Sequence, residues 1–173
     1  WQAALVPVYY SLLYKDQVGY DNIRNVFTIH NIGYQGRFGL ELIEEIVGIP
    51  RKFTSVLEYD GDLNFMKAAI EVSDKVTTVS PTYAEEILNP WFSHGLDRIL
   101  VTKRFKTCGF LNGIDTEFYN PETDSELPAN YSADDKKGKA VCKEKLLDEM
   151  GLAAGKEPVI AIISRFAEHK GFY

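Results

Sequence analysis

Twice along this chain a short run of apolar and β-branched residues breaks directly into a polar, glycine-bearing loop, and nothing else in the sequence restricts the fold as much. Val26-Phe27-Thr28-Ile29 runs into His30-Asn31-Ile32-Gly33-Tyr34-Gln35-Gly36. Val159-Ile160-Ala161-Ile162-Ile163 opens into a loop from Ser164 to Gly171 that carries two cations, Arg165 and Lys170. In α/β proteins ligands sit outside the carboxyl ends of the parallel strands, where such loops emerge. The two strand ends are more than a hundred residues apart, which predicts two α/β lobes facing one cleft. One lobe would present a neutral polar surface and the other positive charge, a combination that suits an anion-linked small molecule such as a nucleotide-sugar.

The elements between these runs follow from local signals. Residues 1–14 read as a helix packed on a sheet, with Pro7 either near its first turn or kinking it. Asn25–Ile29 is the first clear strand. Gly33 to Gly61 is ambiguous, although Leu40–Val47 has apolar residues at helical spacing. Asn64–Ser73 predicts a helix with the stripe Phe65, Ala68, Ala69 and Val72. Val76–Val79 is a strand, and Ser80-Pro81 starts the next helix, running through Tyr83, Ile87 and Leu88 toward Asn89-Pro90. There the serine oxygen accepts from first-turn amides and the proline occupies a position that needs no amide hydrogen. Such a strand–Ser-Pro–helix join builds a parallel sheet. Gly109–Leu111 is a short strand broken by Asn112-Gly113. Asp115 to Lys139 is polar and resembles a crossing between lobes. Lys136–Met150 is a helix ended by Gly151, and Pro158–Ile163 is a further strand. The boundary falls near Asn112, giving domains 1–112 and 113–173.

Charge excludes some function classes. A net charge of −6 and a pI near 5.1 speak against nonspecific binding to nucleic acid or to an anionic membrane. Lys103-Arg104-Phe105-Lys106 reads as a solvated loop. Cys108 and Cys142 have neither metal-ligand spacing nor a disulfide framework and read as buried or half-buried thiols in a reducing compartment. No apolar run approaches a membrane span, no arrangement suggests a metal site, and no Walker A or G-x-G-x-x-G pattern is present. The chain starts at Trp1 inside an apolar segment and stops at Tyr173 where a helix should follow, so it reads as an internal fragment.

Five residues stand out as candidate ligands. His30 ends an apolar strand. It either serves a sugar hydroxyl or a developing charge, or is a strand-end histidine satisfied by backbone; the residues alone leave both open. Arg165 offers a fork for two phosphate oxygens and Lys170 a compact charge five residues on; the alternative is a pair of solvated cations partly neutralised by Glu168. Asn112 is by itself a plain turn residue of an Asn-Gly pair. Asn31 adjoins His30. His94 reads as a loop histidine, His169 as a surface residue, Asp60 and Asp62 as turn and capping residues, and Tyr9, Tyr10 and Tyr14 as core-filling aromatics.

Several blocks then combine into a resemblance. Thr28-Ile29-His30-Asn31-Ile32-Gly33-Tyr34-Gln35-Gly36, Tyr59-Asp60-Gly61-Asp62-Leu63-Asn64-Phe65-Met66-Lys67-Ala68, the stretch Lys75 to Ala84, Leu111-Asn112-Gly113-Ile114-Asp115, and Ser164-Arg165 through Lys170-Gly171 occur in this order. Together they resemble the bacterial glycogen synthases and plant starch synthases over nearly the whole chain. The resemblance implies a GT-B fold of two Rossmann-like lobes with the active site between them. Residues 1–112 would be the later part of the N-terminal, acceptor-side lobe, and 113–173 the hinge and the beginning of the C-terminal, nucleotide-sugar-binding lobe.

The implied reaction moves glucose from ADP-glucose to the 4-hydroxyl at the non-reducing end of an α-1,4-glucan, with retention at the anomeric carbon and no metal or other cofactor. By resemblance His30 is the catalytic-site histidine with Asn31 beside it, Asn112 contacts donor or sugar from the hinge, and Arg165 and Lys170 bind the diphosphate. The expected compartment is the bacterial cytoplasm, or the plastid in a plant. His94 departs from the Gly/Glu-type residue expected in its loop. The family's Lys-Thr-Gly-Gly loop, the His-Asp before Trp1 and the later acidic motif lie outside the chain, so the piece alone is expected to be inactive. The competing readings are another GT-B glycosyltransferase, of the sucrose-synthase or trehalose-forming type, and a non-catalytic carbohydrate-binding lobe.

Overall fold

Parallel pairing of the strand that ends at His30 organises the first half of the molecule. The computed structural model describes residues 1–167, 170 and 171, and the backbone divides into two units, Trp1–Asn112 and Gly113–Tyr173. Along the first unit run α1 (Leu5–Tyr9), β1 (Val26–Ile29), β2 (Arg37–Phe38), α2 (Leu42–Glu45), α3 (Thr54–Leu57), β3 (Glu58–Tyr59), β4 (Asp62–Asn64), α4 (Phe65–Val72), β5 (Lys75–Thr78), α5 (Pro81–Glu86), α6 (Asp97–Thr102) and β6 (Thr107–Gly109). The second unit contributes α7 (Lys137–Glu149). The α/β class read from the sequence is the class observed.

β5 lies between β1 and β6 in a parallel three-stranded sheet, with Ile29 opposite Thr78 and Thr78 opposite Gly109. The threonine register adds side-chain bonds to the ladder: Thr28 and Thr77 share a 2.8 Å hydroxyl contact, and the Thr78 hydroxyl donates to the Ile29 carbonyl. Ser80 caps α5 by accepting from the Tyr83 amide, with Pro81 in the first turn. The last strand closes tightly on that start. A Cβ at Gly109 would collide with the Ser80 carbonyl, so β6 approaches α5 at a distance only glycine permits.

α4 is buried along Phe65–Ile70, on every side and not along one stripe. Lys67 shares that burial because its ammonium donates to the carbonyls of Ser55 and Val56 in α3, at 2.8 and 3.0 Å. Lys106 does the same at the other end. Its Nζ donates to Glu71 and Ser73 carbonyls at the close of α4, at 3.0 and 2.5 Å. Each lysine thereby supplies donors to carbonyls that end a helix and lack an intrahelical partner. The basic cluster at 103–106 is therefore no solvated loop: Lys103 also pairs with Glu71 at 2.7 Å, and only Arg104 and Phe105 are exposed.

Other expectations are corrected locally. The ambiguous region around residues 33–61 contains a small antiparallel sheet, β2-β4-β3, turned through Asp60 (φ 52°) and Gly61 (φ 83°). Asp62 pairs with Arg37 at 3.0 Å and caps nothing. The strand expected over 109–111 lies at Thr107–Gly109, α2 is shorter than the Leu40–Val47 pattern, and α5 stops at Glu86. Cys108 is exposed, and Cys142 is half-buried. Of the three tyrosines, Tyr10 is buried, Tyr9 half-buried and Tyr14 exposed.

In the second unit α7 ends where Gly151 takes a left-handed φ of 64°, but only Leu147 of its expected apolar face is buried. Pro158–Ile163 forms no strand, and Ile162 and Ile163 are exposed. A strand needs a neighbour to take its backbone bonds, and the described residues of this unit supply none. No helix among the described residues is long and apolar enough to cross a membrane.

Lys106→Met keeps the apolar stem and leaves two α4 carbonyls without their donor, so urea unfolding should show a loss of about 1–3 kcal/mol. Burial holds the Lys106 ammonium below the usual lysine pKa, with Lys103 adding repulsion. Between the lowered folded value and the ordinary one, the unfolded chain binds more protons, so stability rises with pH across that alkaline interval. The Lys106→Met variant should lack this part of the rise; an identical alkaline slope in both proteins would contradict it.

Candidate functional site

The loop that leaves β1 is fixed from three directions. Ile32 is buried, and its amide donates to the Tyr83 hydroxyl at 3.3 Å. The Asn31 carboxamide oxygen accepts from the Gly33 amide at 2.9 Å, closing a local turn. Gln35 is buried against α4, and its backbone carbonyl and that of Gly36 accept from the amides of Met66 and Phe65 at 3.0 and 3.1 Å. The third amide, of Lys67, donates to the Asn64 side chain at 2.9 Å. The opening amides of α4, a natural anion site, are thus already satisfied by the loop and the cap. Here the sheet end offers neutral polar groups.

His30 is exposed at the mouth of this loop. It lines a cavity of about 350 Å³ together with Trp1, Thr28, Asn31, Tyr34 and Met66. Gly36 is required beneath it: its φ is 69°, and an added Cβ would come within 2.7 Å of the Trp1 ring. That ring leans on Phe38 and Phe65, with centroids 5.7 and 6.4 Å away.

A polar chain ties this loop to a second one. Asn64 Nδ2 donates to Gln35 Oε1 at 2.6 Å, and Gln35 Nε2 donates to the His94 carbonyl at 2.9 Å. The Tyr59 hydroxyl donates to the next carbonyl, of Gly95, at 2.7 Å. Burial, reinforced by the charges of Asp60 and Asp97, holds the Tyr59 hydroxyl above the usual tyrosine pKa, so it remains a donor at neutral pH. His94 is held with φ at 49°, uncommon for residues other than glycine. Its imidazole lies over the His30 loop, with Cε1 3.5 Å from where a Gly33 Cβ would stand. From its neighbours in sequence His94 reads as a loop histidine. The departure of His94 from the residue type expected in its loop was the available signal, but its partner Gln35 lies 59 positions away.

The remaining candidates fall elsewhere. Asn112 is exposed at the end of the first unit, and Arg165 and Lys170 are exposed in the second, where the Lys170 amide closes a turn on the Ala167 carbonyl at 2.9 Å. Glu168 and His169 lie outside the described residues.

Residues 1–102 match the family described as starch synthase catalytic domain. The chain belongs to that family. Two glycogen synthases illustrate the likeness. That of Streptococcus agalactiae serotype III is 44% identical over 99% of this chain and 37% of its own length. That of Opitutus terrae is 45% identical over 99% of this chain and 36% of its own. The chain therefore spans just over a third of the length of these curated relatives. Among solved structures, the catalytic domain of starch synthase IV from Arabidopsis thaliana, bound to ADP and acarbose, matches with a TM-score of 0.75 at 36% identity. That match covers 91% of this chain and 33% of the other. The starch synthase family thus accounts for the parallel sheet as well as the order of the sequence blocks.

Gln35→Leu tests the polar chain. It strands the Asn64 amide and the His94 carbonyl, and the expected cost in chemical unfolding is about 1–3 kcal/mol. An unchanged midpoint would mean that the buried amide pair contributes nothing.

Proposed function

We propose that this chain forms part of a retaining glucosyltransferase that moves glucose from ADP-glucose to the 4-hydroxyl at the non-reducing end of an α-1,4-glucan. The observation that carries this reading is the His30 loop, an exposed imidazole on a neutral polar shelf beside an open cavity, within a chain 44% identical to a glycogen synthase along nearly its full length. The ADP and acarbose bound to the Arabidopsis relative, a nucleotide and a sugar-like ligand, support the same pairing of donor and glucan. In this reading the Trp1–Asn112 unit is the acceptor side, and the Gly113–Tyr173 unit begins the nucleotide-sugar-binding lobe.

The division of labour follows from charge. As ADP departs, negative charge grows on the phosphates, and Arg165 and Lys170 stabilise it through charge-assisted bonds that matter most in the transition state. The proposal invokes no metal for that role. Positive charge grows on the sugar ring, and a neutral wall of His30 and Asn31 accommodates it without the repulsion a cation would add. His30 touches the glucosyl unit, and Asn112 contacts donor or sugar from the hinge. The reading carries with it a cytoplasmic location in a bacterium, or a plastid in a plant.

Three variants of the whole protein test the assignment, with ADP release from ADP-glucose and glycogen as the assay and UDP-glucose run alongside. His30→Ala should lower kcat by about a hundredfold or more. Arg165→Ala and Lys170→Ala should each raise KM for ADP-glucose by about ten- to a hundredfold while glycogen affinity holds. Unchanged donor kinetics in both cation variants would remove the diphosphate site, and glycogen-independent inactivity of the unaltered protein would remove the reading itself.

A further inference from the structure

We propose that Asn112 is a self-modification site: it closes a succinimide with the Gly113 backbone, loses ammonia and ends as aspartate or isoaspartate, so that the donor site acquires negative charge as the protein ages. The functional half of this inference rests on the donor contact proposed for Asn112 above, and the chemical half on the loop alone. Among the asparagines of the chain, only Asn112 is followed by glycine. Asn89 and Asn120 precede prolines, which have no amide proton to give up. Asn22, Asn25 and Asn31 precede Ile23, Val26 and Ile32, whose stiff branched side chains crowd the approach. Asn64 and Asn130 have carboxamides already engaged, with Gln35 and with the Pro121 and Asp124 carbonyls.

The loop around Asn112 is held at both ends and free between them. β6 stops at Gly109, and the Phe110 amide donates to the Thr78 carbonyl at 2.8 Å. The next anchor is Asp115, whose carboxylate accepts from the Glu117 and Phe118 amides at 3.1 and 2.9 Å. From 111 to 114 the chain is exposed and has no regular structure. Among the described residues, neither the Asn112 carboxamide nor the Gly113 amide has a hydrogen-bond partner. No heavy atom beyond the adjoining residues stands within 4 Å of the place a Gly113 Cβ would take. No bond has to break before the Gly113 nitrogen turns toward Asn112 Cγ, and the backbone freedom of glycine permits that turn.

The reaction balances with water as its co-reactant. Hydroxide removes the Gly113 amide proton, and the nitrogen attacks Asn112 Cγ. The new N–Cγ bond replaces the Cγ–Nδ2 bond, and Nδ2 leaves as ammonia after taking a proton from water. Water then opens the cyclic imide. Attack at Cγ restores the ordinary backbone with an aspartate side chain. Attack at the other carbonyl leaves the backbone running through Cγ, as isoaspartate. Nothing is oxidised or reduced. Either product replaces a neutral carboxamide by a carboxylate, which repels a donor that already carries a diphosphate.

The test ages the whole protein at neutral and at alkaline pH, alongside Gly113→Ala. Alanine fits there, because the space is open and the Gly113 φ lies outside the left-handed region. Peptide mass mapping reads amide-to-acid conversion, enzymatic methylation reads isoaspartate, and ADP release from ADP-glucose is measured on the same samples. Conversion should appear at Asn112 before any other asparagine and run faster at alkaline pH, with activity falling in proportion. Gly113→Ala should slow both losses by about tenfold or more, and freshly made Asn112→Asp should show the reduced activity of aged protein. An intact Asn112 after ageing, or an equal rate in Gly113→Ala, would overturn the modification while leaving the proposed function standing. Conversion with full activity retained would overturn the functional half together with the donor contact of Asn112. Fresh protein that releases no ADP would overturn that half and the proposed function, whatever the mass map shows.

Discussion

The buried amide pair between Gln35 and Asn64 is the contact on which the rest of the first unit depends. At 2.6 Å, with both side chains out of solvent, it joins the loop that follows β1 to the residue that opens α4. Each amide then uses its other end: Asn64 accepts from the Lys67 amide, and Gln35 donates to the His94 carbonyl. A network this deep stabilises only when every member has a partner, and here the shared bonds leave none of these four groups orphaned. One consequence reaches the chemistry. Because the loop carbonyls and the asparagine occupy the first α4 amides, the helix end cannot serve a phosphate, and the shelf around His30 stays neutral.

The same economy appears in the two interior lysines. Burial lowers the pKa of Lys67, partly offset by Glu71 and Glu58, and Lys106 is shifted the same way. Both are tolerated because an ammonium with three donors can satisfy two carbonyls at once. α3 and α4 lack a glycine terminator, and a lysine from another segment completes each end. Charge in this unit therefore closes helices, and the exposed cations proposed for the donor belong to the loop at Arg165 and Lys170.

Much of the α/β frame was legible because its signals are local. The apolar run before His30, the Ser80-Pro81 start of α5, the helical pattern at 64–73 and the glycine after α7 each act within about one turn of their own residue, and the structure has all four. The His30 loop was legible as a ligand-facing strand end for the same reason. Less legible was anything that depends on a distant partner. Lys106 sits in a run of basic residues that looks solvated, yet it finds carbonyls 33 and 35 positions away. The Val159–Ile163 run has strand composition, but pairing requires a neighbouring strand and not merely the right residues.

The sequence by itself determined where α4, α5 and α7 begin, which loop carries His30 and Asn31, and that the chain belongs with the starch synthases, since capping, periodicity and motif order are all written in neighbouring residues. The tertiary structure alone decided that Gln35 is a buried strut, that His94 is turned over Gly33, and that Tyr34 lines two cavities. Those arrangements come from side chains meeting across 29 and 59 positions of chain, and no local preference of the backbone specifies such meetings.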